Sequence, residues 1–257
     1  MKPYLIFSGI IMSMTFSCDD FNCIDGDGNI ETERRRLSGF DGIENSTEFN
    51  VIYTRSDTSG ISLLADHNIL SAIVTEVSGN ALLIRTSPGS ACFRYTVRPV
   101  IEVSSPDLNS IFVSGSGDFH ASFMEGSEVS VKLTGSGNIV ADSIRAGDFS
   151  VLLSGSGNIS LHDTECTNSD VLISGSGNIG LEGTCDESSL KISGSGNLHA
   201  EDFPAGSVTI TISGSGNIYT NVLDIITGVI SGSGDVHVTG DPDINVTVTG
   251  SGRVIKE

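Results

Sequence analysis

Three ring side chains have the clearest potential for chemistry, because they recur at one position of a repeated motif. His199, Tyr219 and His237 each lie five residues after the first glycine of a Gly-Ser-Gly triplet. If the triplets stack, the three rings lie above one another on an outward surface. Imidazole and phenol groups arranged in this way can bind a sugar or a metal ion. We therefore predict a surface patch at these residues, with scattered, unrelated surface side chains as the alternative.

Acidic side chains offer a second kind of chemistry, since two convergent carboxylates can hydrolyse a glycosidic bond. Three acids share one outward column of the repeat, but on separated turns: Asp142, Glu182 and Glu201. The basic residues between positions 115 and 252, which a polysaccharide lyase would need, occupy different columns: Lys132, Arg145 and Lys191. The sequence thus favours a protein without a catalytic site, cofactor or metal. A polysaccharide lyase or hydrolase is the alternative.

All of these side chains depend on one repeat for their placement. The Gly-Ser-Gly triplet begins eight times, at residues 115, 135, 155, 175, 194, 214, 232 and 250. Apart from Gly228, apolar residues occupy the positions four and two before the first glycine and four after it, as at Val131, Leu133 and Ile139. An Asn or Asp follows the second glycine in seven of the eight copies. This alternation indicates two strands that flank a glycine corner.

Identical corners at a fixed period are typical of a solenoid. A single coil buries too little apolar surface to fold alone, so the copies must stack. We predict that residues 111–257 form a right-handed parallel β-helix with about 18–20 residues per coil, in which the asparagine amides form a hydrogen-bonded ladder. A two-sheet β-sandwich and low-complexity disorder are the alternatives.

The preceding residues, 26–110, lack the regular motif. They contain one variant of it, Gly26-Asp27-Gly28-Asn29-Ile30, followed by strand-like runs separated by turn signals: 49–53, 61–64, 81–85 and 97–103. We interpret this all-β segment as irregular coils that cap the β-helix.

Charge restricts the class of partner. The chain has 32 acidic and 13 basic residues, for a net charge of −19. Because phosphate binding needs clustered Lys and Arg, we predict no nucleic-acid partner. The one basic run, Arg34 to Arg36, is interpreted as a solvated strand edge, with a ligand site as the less favoured alternative.

The first residues have the pattern of an export signal. Lys2 precedes an apolar stretch, residues 4–16, that is too short to cross a bilayer as a helix. The tetrapeptide Thr-Phe-Ser-Cys that ends at Cys18 resembles a bacterial lipobox, whose cysteine becomes the acylated N-terminus. We predict a signal peptide at 1–17, lipid attachment at Cys18 and a tether at 18–25. An ordinary cleaved signal with an incidental cysteine is the alternative.

Two acidic residues, Asp19 and Asp20, follow the lipobox cysteine. Such a pair resembles the surface-export signal of some diderm lipoproteins, whereas in others an aspartate there retains the protein at the inner membrane. We predict an exported outer-membrane lipoprotein, exposed at the cell surface and anchored in the membrane by its lipid.

Lipidation of Cys18 leaves four cysteines. Cys166 and Cys185 fall at nearly the same position of adjacent coils, so they should lie about 4.8 Å apart, within reach of a disulfide. A disulfide and two stacked buried thiols both fit this placement. Cys23 and Cys92 remain as a second pair, by elimination only.

Several motifs resemble a known family of exported proteins. They are Gly39-Phe40-Asp41-Gly42-Ile43, Pro106-Asp107-Leu108 and the repeated Ser-Gly-Ser-Gly-Asn-Ile. Together they are similar to the auto-transporter adhesin head domain with Gly-Ile-Asn-type repeats. The resemblance covers most of the mature chain and implies a right-handed β-helix and an adhesive function. In addition, Asp142-Ser143-Ile144 resembles a bacterial O-glycosylation sequon with Ser143 as the acceptor.

These observations favour a non-catalytic surface lipoprotein that presents a rigid rod to a glycan or to extracellular matrix. A carbohydrate-active enzyme is the first alternative. A structural envelope component, whose copies stack end to end as a homo-oligomer, is the second.

Overall fold

The computed structural model describes residues 23–90 and 92–257. The predicted signal peptide at 1–17, Cys18 and residues 19–22 of the tether lie outside the described residues. The described chain is nearly all β and forms a solenoid of about seven turns. The prediction of a right-handed parallel β-helix is confirmed.

Ten elements precede the regular coils. They are β1 (Ile24–Asp25), β2 (Ile30–Arg35), β3 (Gly42–Asn45), β4 (Asn50–Arg55), β5 (Gly60–Asp66), α1 (His67–Leu70), β6 (Ile73–Ser78), β7 (Ala81–Thr86), β8 (Phe93–Arg94) and β9 (Val100–Ser105).

The regular coils contribute twelve further strands. They are β10 (Ser110–Val113), β11 (Phe119–Ala121), β12 (Met124–Leu133), β13 (Ile139–Ala141), β14 (Ile144–Leu153), β15 (Ile159–Ile173), β16 (Ile179–Ile192), β17 (Leu198–Ile212), β18 (Ile218–Ile230), β19 (Val236–Gly240), β20 (Asp243–Val248) and β21 (Val254–Lys256).

Parallel pairing arranges these strands into two surfaces of the solenoid. The first sheet, before the glycine corner, runs in the order β3, β10, β12, β14, β15, β16, β17, β18 and β20. The second sheet, after the corner, runs in the order β4, β11, β13, β15, β16, β17, β18, β19 and β21. Every pairing from β10 onward is parallel, which excludes the antiparallel sandwich for these coils.

The N-terminal cap, residues 23–109, differs in part from the expected irregular coils. Strands β3 and β4 do form a coil, because they pair in parallel with β10 and β11. By contrast, β5 pairs antiparallel with both β2 and β9, and β6 pairs antiparallel with β7. The backbone N–H and C=O groups of the first coil are satisfied by β7 and β9, which pair in parallel with β3 and β4. The antiparallel strands lie beyond them and cover the outer edges of β7 and β9.

Apolar columns fill the space between the two sheets, as the alternation predicts. Val131, Leu133 and Ile139 are fully buried, and their counterparts in the neighbouring coils are buried to the same degree. Only the final coil departs from this pattern, since Ile244 and Val248 are each 43% exposed. Among the described residues, this coil has a neighbour on one side alone.

The glycine corners allow neighbouring backbones to approach closely. A Cβ atom added at Gly155 would lie 1.8 Å from the carbonyl oxygen of Gly135, and one at Gly177 would lie 1.7 Å from that of Gly157. None of the corner glycines has a positive φ. Close approach of neighbouring backbones, and not a left-handed conformation, is therefore the reason for glycine at these corners.

The predicted ladder is confirmed along the corner column. Asn158 Oδ1 accepts hydrogen bonds from the backbone N–H and the side-chain amide of Asn178, at 3.0 and 3.2 Å. Equivalent bonds join Asn138 to Asp118 and Asn197 to Asn178. The ladder also reaches into the cap, where Asn50 Oδ1 accepts from the N–H of Asp118. It therefore ties the cap to the regular coils.

Some coils have fewer than 20 residues, and they are shortened within one arc, which lies just after the second sheet. Leu161 pairs with Leu181 at a separation of 20, but Thr164 pairs with Gly183 at a separation of 19. The missing residue is thus lost opposite His162 and Asp163. Bulges of this kind change the direction of side chains without disturbing the two sheets.

Candidate functional site

The second sheet brings the three predicted rings together. His199 pairs with Tyr219, and Tyr219 pairs with His237, on adjacent parallel strands. The first two ring centroids are 4.9 Å apart with the planes inclined by 4°, and the next two are 4.5 Å apart at 19°. The rings therefore form a stack that points outward, as the column alignment predicts.

We call the outward surface of the second sheet the ring face. Counting the two in the stack, this face and the arc that directly follows it carry four of the five histidines of the chain: His120, His162, His199 and His237. Each histidine in the chain lies within hydrogen-bond distance of a carboxylate. The pairs are His67 with Glu31 (3.0 Å), His120 with Asp142 (2.8 Å), His162 with Glu182 (2.9 Å), His199 with Glu201 (3.3 Å) and His237 with Glu257 (2.7 Å).

The three acids considered as catalytic candidates all belong to these histidine–carboxylate pairs. Asp142, Glu182 and Glu201 each face a histidine ring, so their oxygens are engaged in local ion pairs or hydrogen bonds. The corresponding basic candidates are also engaged: Arg145 contacts Asp163 and Glu165, Lys191 contacts Asp170, and Lys132 lies over the ring of Phe112. The arrangement is a surface on which polar and charged side chains contact local partners.

Sequence reasoning missed two of the histidines on this face, His120 and His162. The sequence did contain a signal for them, because both histidines lie close, within the repeat, to the column formed by Asp142, Glu182 and Glu201. Recognising the pairs requires the inter-coil register, since three of the four partners on this face belong to the next coil.

The predicted basic run lies at the N-terminal end of the same sheet, where β2 is the outermost strand among the described residues. Arg35 is structural, because it donates to the carbonyl oxygens of Leu70 and Ile73 and pairs with Glu33. Arg34 and Arg36 are exposed and line a groove of about 580 Å³ together with the side chain of Ile52. The run is thus partly a strand edge, as expected, and partly the wall of a groove.

A larger groove, of about 910 Å³, lies on the first sheet. Its walls are serines and acids such as Glu128, Asp148 and Asp170. These side chains are spread over successive coils. Among the described residues, no group of three or more His, Cys, Asp or Glu side chains is placed to hold a metal ion.

The Cys166 and Cys185 pair is present as two thiols. Their Sγ atoms are 3.0 Å apart on directly paired positions, so the stacked-thiol alternative describes this structure. The hydrogen bond between the sulphurs, followed by burial, raises the pKa of Cys166, whereas the same bond lowers the pKa of Cys185. Two buried serines, Ser169 and Ser188, lie in the same polar part of the core and bond to each other at 2.7 Å.

Cys23 and Cys92 form a disulfide in the cap, with their Cα atoms 4.5 Å apart. This bond links β1 to β8, which pair in parallel as a separate two-stranded sheet. It therefore fastens the chain that leads from the predicted lipid anchor to the cap.

Ser143, the predicted glycosylation acceptor, is half-buried on the solenoid surface. Its hydroxyl donates to Asp163 Oδ2 at 2.8 Å, and Arg145 contacts the same oxygen. These hydrogen bonds, that from Arg145 first, hold the pKa of Asp163 below its usual range. Modification of Ser143 would have to break its bond to Asp163.

The described chain also contains no helix that is long and apolar enough to cross a membrane. Its one helix, α1, has four residues.

Comparison with known proteins now identifies the family. The family described as "Putative auto-transporter adhesin, head GIN domain" matches residues 39–242. The chain therefore belongs to this family, whose repeats build the β-helix described above. Among proteins with curated functions, none matches this chain.

Solved structures share the fold. A protein from Parabacteroides distasonis, described as a "putative lipid binding protein", is 31% identical with a TM-score of 0.84, covering 91% of this chain and 99% of its own. A "putative adhesin" from Parabacteroides merdae is 22% identical with a TM-score of 0.85, covering 91% and 98%. Another from Bacteroides fragilis is 24% identical with a TM-score of 0.71, covering 91% and 100%. The last two show similarity of fold alone.

Proposed function

We propose that this protein is a non-catalytic lipoprotein of the outer membrane, exposed at the cell surface, whose β-helix contacts glycans through the ring face. The observation that carries the proposal is the outward-facing stack of His199, Tyr219 and His237, flanked by carboxylates. His199 is exposed, and the other two rings are half-buried. Membership of an adhesin family supports it.

The chemistry of the ring face suits sugars. Because the rings cover one another, the face of His199 directed away from Tyr219 is the one that can contact the C–H groups of a pyranose, while carboxylates and imidazoles bond to its hydroxyls. The net charge of −19 disfavours acidic polymers by long-range repulsion. We therefore expect neutral glycans to bind better than sulfated or uronic-acid glycans.

The proposed anchor at Cys18 places the membrane next to the cap, since only four residues separate it from Cys23 in the disulfide. The coils would then extend away from the bilayer and present the ring face to the surroundings. Mass spectrometry of the mature protein tests the anchor, and an unmodified N-terminus would contradict it.

A glycan array with the purified mature domain tests the function. We expect binding to neutral glycans that is lost when His199, Tyr219 and His237 are replaced together by serine. The matched control replaces Thr209 and Thr211, two exposed residues of the first sheet on the same coil as Tyr219, by alanine. Equal loss in both variants, or no binding by the native protein to any glycan or matrix component, would contradict the proposal.

The same preparation distinguishes the alternatives of an enzyme and a structural oligomer. Turnover of a polysaccharide that is abolished in Glu201→Gln would replace the proposal with catalysis. Light scattering gives the mass in solution; a defined oligomer without glycan binding would instead favour a structural envelope component.

Binding of an acidic lipid is a second candidate function, favoured by one groove. Arg34 and Arg36 lie beside the exposed Ile52, which is 39% exposed, so a cationic wall meets an apolar one. The Parabacteroides distasonis relative is described as a "putative lipid binding protein". Co-flotation with phosphatidylglycerol vesicles but not with phosphatidylcholine vesicles, lost in Arg34→Ala/Arg36→Ala, would support this function.

A further inference from the structure

One position on the ring face interrupts its side-chain column. The column runs through Ser160, Gly180, His199, Tyr219 and His237 on adjacent parallel strands. Gly180 is therefore the position next to the ring stack, on the side of His199 that faces away from Tyr219.

Neither backbone conformation nor packing requires glycine at this position. Gly180 does not have a positive φ, and an added Cβ would meet no atom within 4 Å. The corner glycines differ sharply, because a Cβ at Gly175 or Gly177 in the same coil would lie within 2.0 Å of a backbone oxygen. Gly180 thus leaves open space where the column would otherwise place a side chain.

The dimensions of this space match one ring. Adjacent strands are about 4.8 Å apart, so the positions of Ser160 and His199 are separated by roughly 9.6 Å across Gly180. A ring needs roughly 3.5–4 Å to an atom on either side. One ring therefore fits between the two positions, in contact with the free face of His199.

Polar groups border the gap. His162 and Glu182 form their 2.9 Å pair two residues beyond Ser160 and Gly180, and their side chains are 42% and 54% exposed. Glu201 holds His199 from the same flank at 3.3 Å. An imidazole and two carboxylates are thus available to the edge of a bound ring.

The backbone beside the gap is also unusual. The coil that contains Gly180 is one residue short, and the shortening falls at Glu182. Asp163, with φ of 40°, is the only non-glycine residue with a positive φ in the described chain. Such local irregularity recurs beside binding sites in β-proteins.

We propose that the gap above Gly180 binds a single neutral pyranose ring, stacked on His199, with its hydroxyls bonded to Glu182, Glu201 and His162. This assignment rests on the proposed glycan-binding function and names its site. A sugar is favoured over an apolar aromatic ring because carboxylates border the gap, and a neutral sugar over an acidic one for the same reason.

Histidine ring resonances provide a direct test. The native domain is titrated with methyl glycosides of mannose, galactose and glucose and with N-acetylglucosamine, while the ring protons of the five histidines are followed by NMR. We expect saturable shifts at His199 and His162 with at least one sugar, at an affinity of about 1–10 mM. The resonances of His67 and His120 should not move.

Gly180→Tyr is the decisive variant, because its ring would extend the stack and occupy the gap. It should weaken the shifts at His199 by at least about tenfold. Val140→Tyr, two strands away in the same column, is the matched control and should bind as the native protein does. The backbone spectrum shows whether each variant is folded; if Gly180→Tyr is not, Gly180→Leu replaces it.

The opposite results are equally clear. No shift at His199 with any sugar at about 100 mM, or an unchanged response in folded Gly180→Tyr, would overturn the site. Shifts with indole but with none of the sugars would show an aromatic-ring site and would also overturn it. If the array binding of the native domain survives in Gly180→Tyr, the site is wrong while the proposed function stands.

Discussion

The regular coils and the N-terminal cap stabilise one continuous parallel stack in different ways. In the coils, each contact recurs in the next repeat: an aliphatic column, a glycine corner and an asparagine ladder. In the cap, the contacts occur once and join distant segments. Asp66 is an example, since this buried carboxylate accepts from the N–H groups of Gly28 and Thr96, 38 and 30 residues away.

This difference predicts how each region responds to mutation. A change in a column disturbs two neighbouring coils, because a residue in a parallel stack contacts its equivalents above and below. A change in the cap removes an interaction that no neighbour duplicates. The coils should therefore be sensitive to added atoms, and the cap to lost links.

The largest expected effect comes from adding one methyl group to a corner. Gly155→Ala places a Cβ 1.8 Å from the Gly135 carbonyl oxygen, so the two backbones must separate. We expect a loss of at least about 3 kcal/mol of unfolding free energy, measured by urea denaturation. Gly180→Ala, where the Cβ meets no atom within 4 Å, should change it by less than about 0.5 kcal/mol. Equal effects would contradict the role of close approach.

The next largest effect should come from the cap disulfide. Replacing Cys23 and Cys92 by serine releases a link across 69 residues. Chain-entropy arguments give a loss of about 2–4 kcal/mol. Cys166→Ser/Cys185→Ser, which removes no covalent link in this structure, is the matched variant. If Cys166→Ser/Cys185→Ser lost more unfolding free energy than Cys23→Ser/Cys92→Ser, the prediction for the disulfide would be wrong.

A smaller effect is expected from the buried carboxylate of the cap. Burial alone would raise the pKa of Asp66, but the N–H groups of Thr96 and Gly28 hold that pKa below its usual value. Its contribution to stability is present above the pKa of the unfolded chain and is lost as the pH falls through the lower folded pKa. Asp66→Asn should lower Tm by a few degrees at pH 7 and reduce the acid-induced loss of stability.

Thermal unfolding followed at several pH values measures both effects. Asp163 on the solenoid surface also has a lowered pKa, but its side chain is 59% exposed, so Asp163→Asn should change Tm less. An unchanged Tm in Asp66→Asn would show that the buried carboxylate does not hold the cap together.

The smallest effect should come from one rung of the ladder. Asn158→Ala removes the bonds from Asn178 and the bond to Asn138, yet the site is exposed and water can replace them. We expect a loss of about 1 kcal/mol. Ser156→Ala, exposed in the same corner, serves as the control. Equal stability of the two variants would show that the ladder aligns the coils without stabilising them.

Much of the solenoid could be predicted because its contacts lie between equivalent positions. Knowing the period was enough to place Tyr219 above His199 and Asn178 above Asn158. The cap could not be predicted in this way. The antiparallel pairing of β5, and the enclosure of Asp66, involve segments without a common repeat, so no periodic signal relates them.

The candidate site likewise has one part that the repeat predicted and one part that it did not. The ring stack followed from a column of residues, whereas most of the histidine–carboxylate pairs of the ring face did not. His162 meets Glu182 and His237 meets Glu257 on neighbouring coils, and the coil lengths there differ by one or two residues. Those differences shift the register locally, and a side-chain pair at about 3 Å depends on that shift.

The sequence by itself determined the parallel stack, because a repeated corner and three apolar columns are satisfied together by one register. The tertiary structure decided which polar groups meet on the ring face, how the cap closes the first coil, and that the space above Gly180 is open. These features depend on where a coil loses a residue and on links between distant segments. Their free energy comes from three-dimensional contacts that no local pattern encodes.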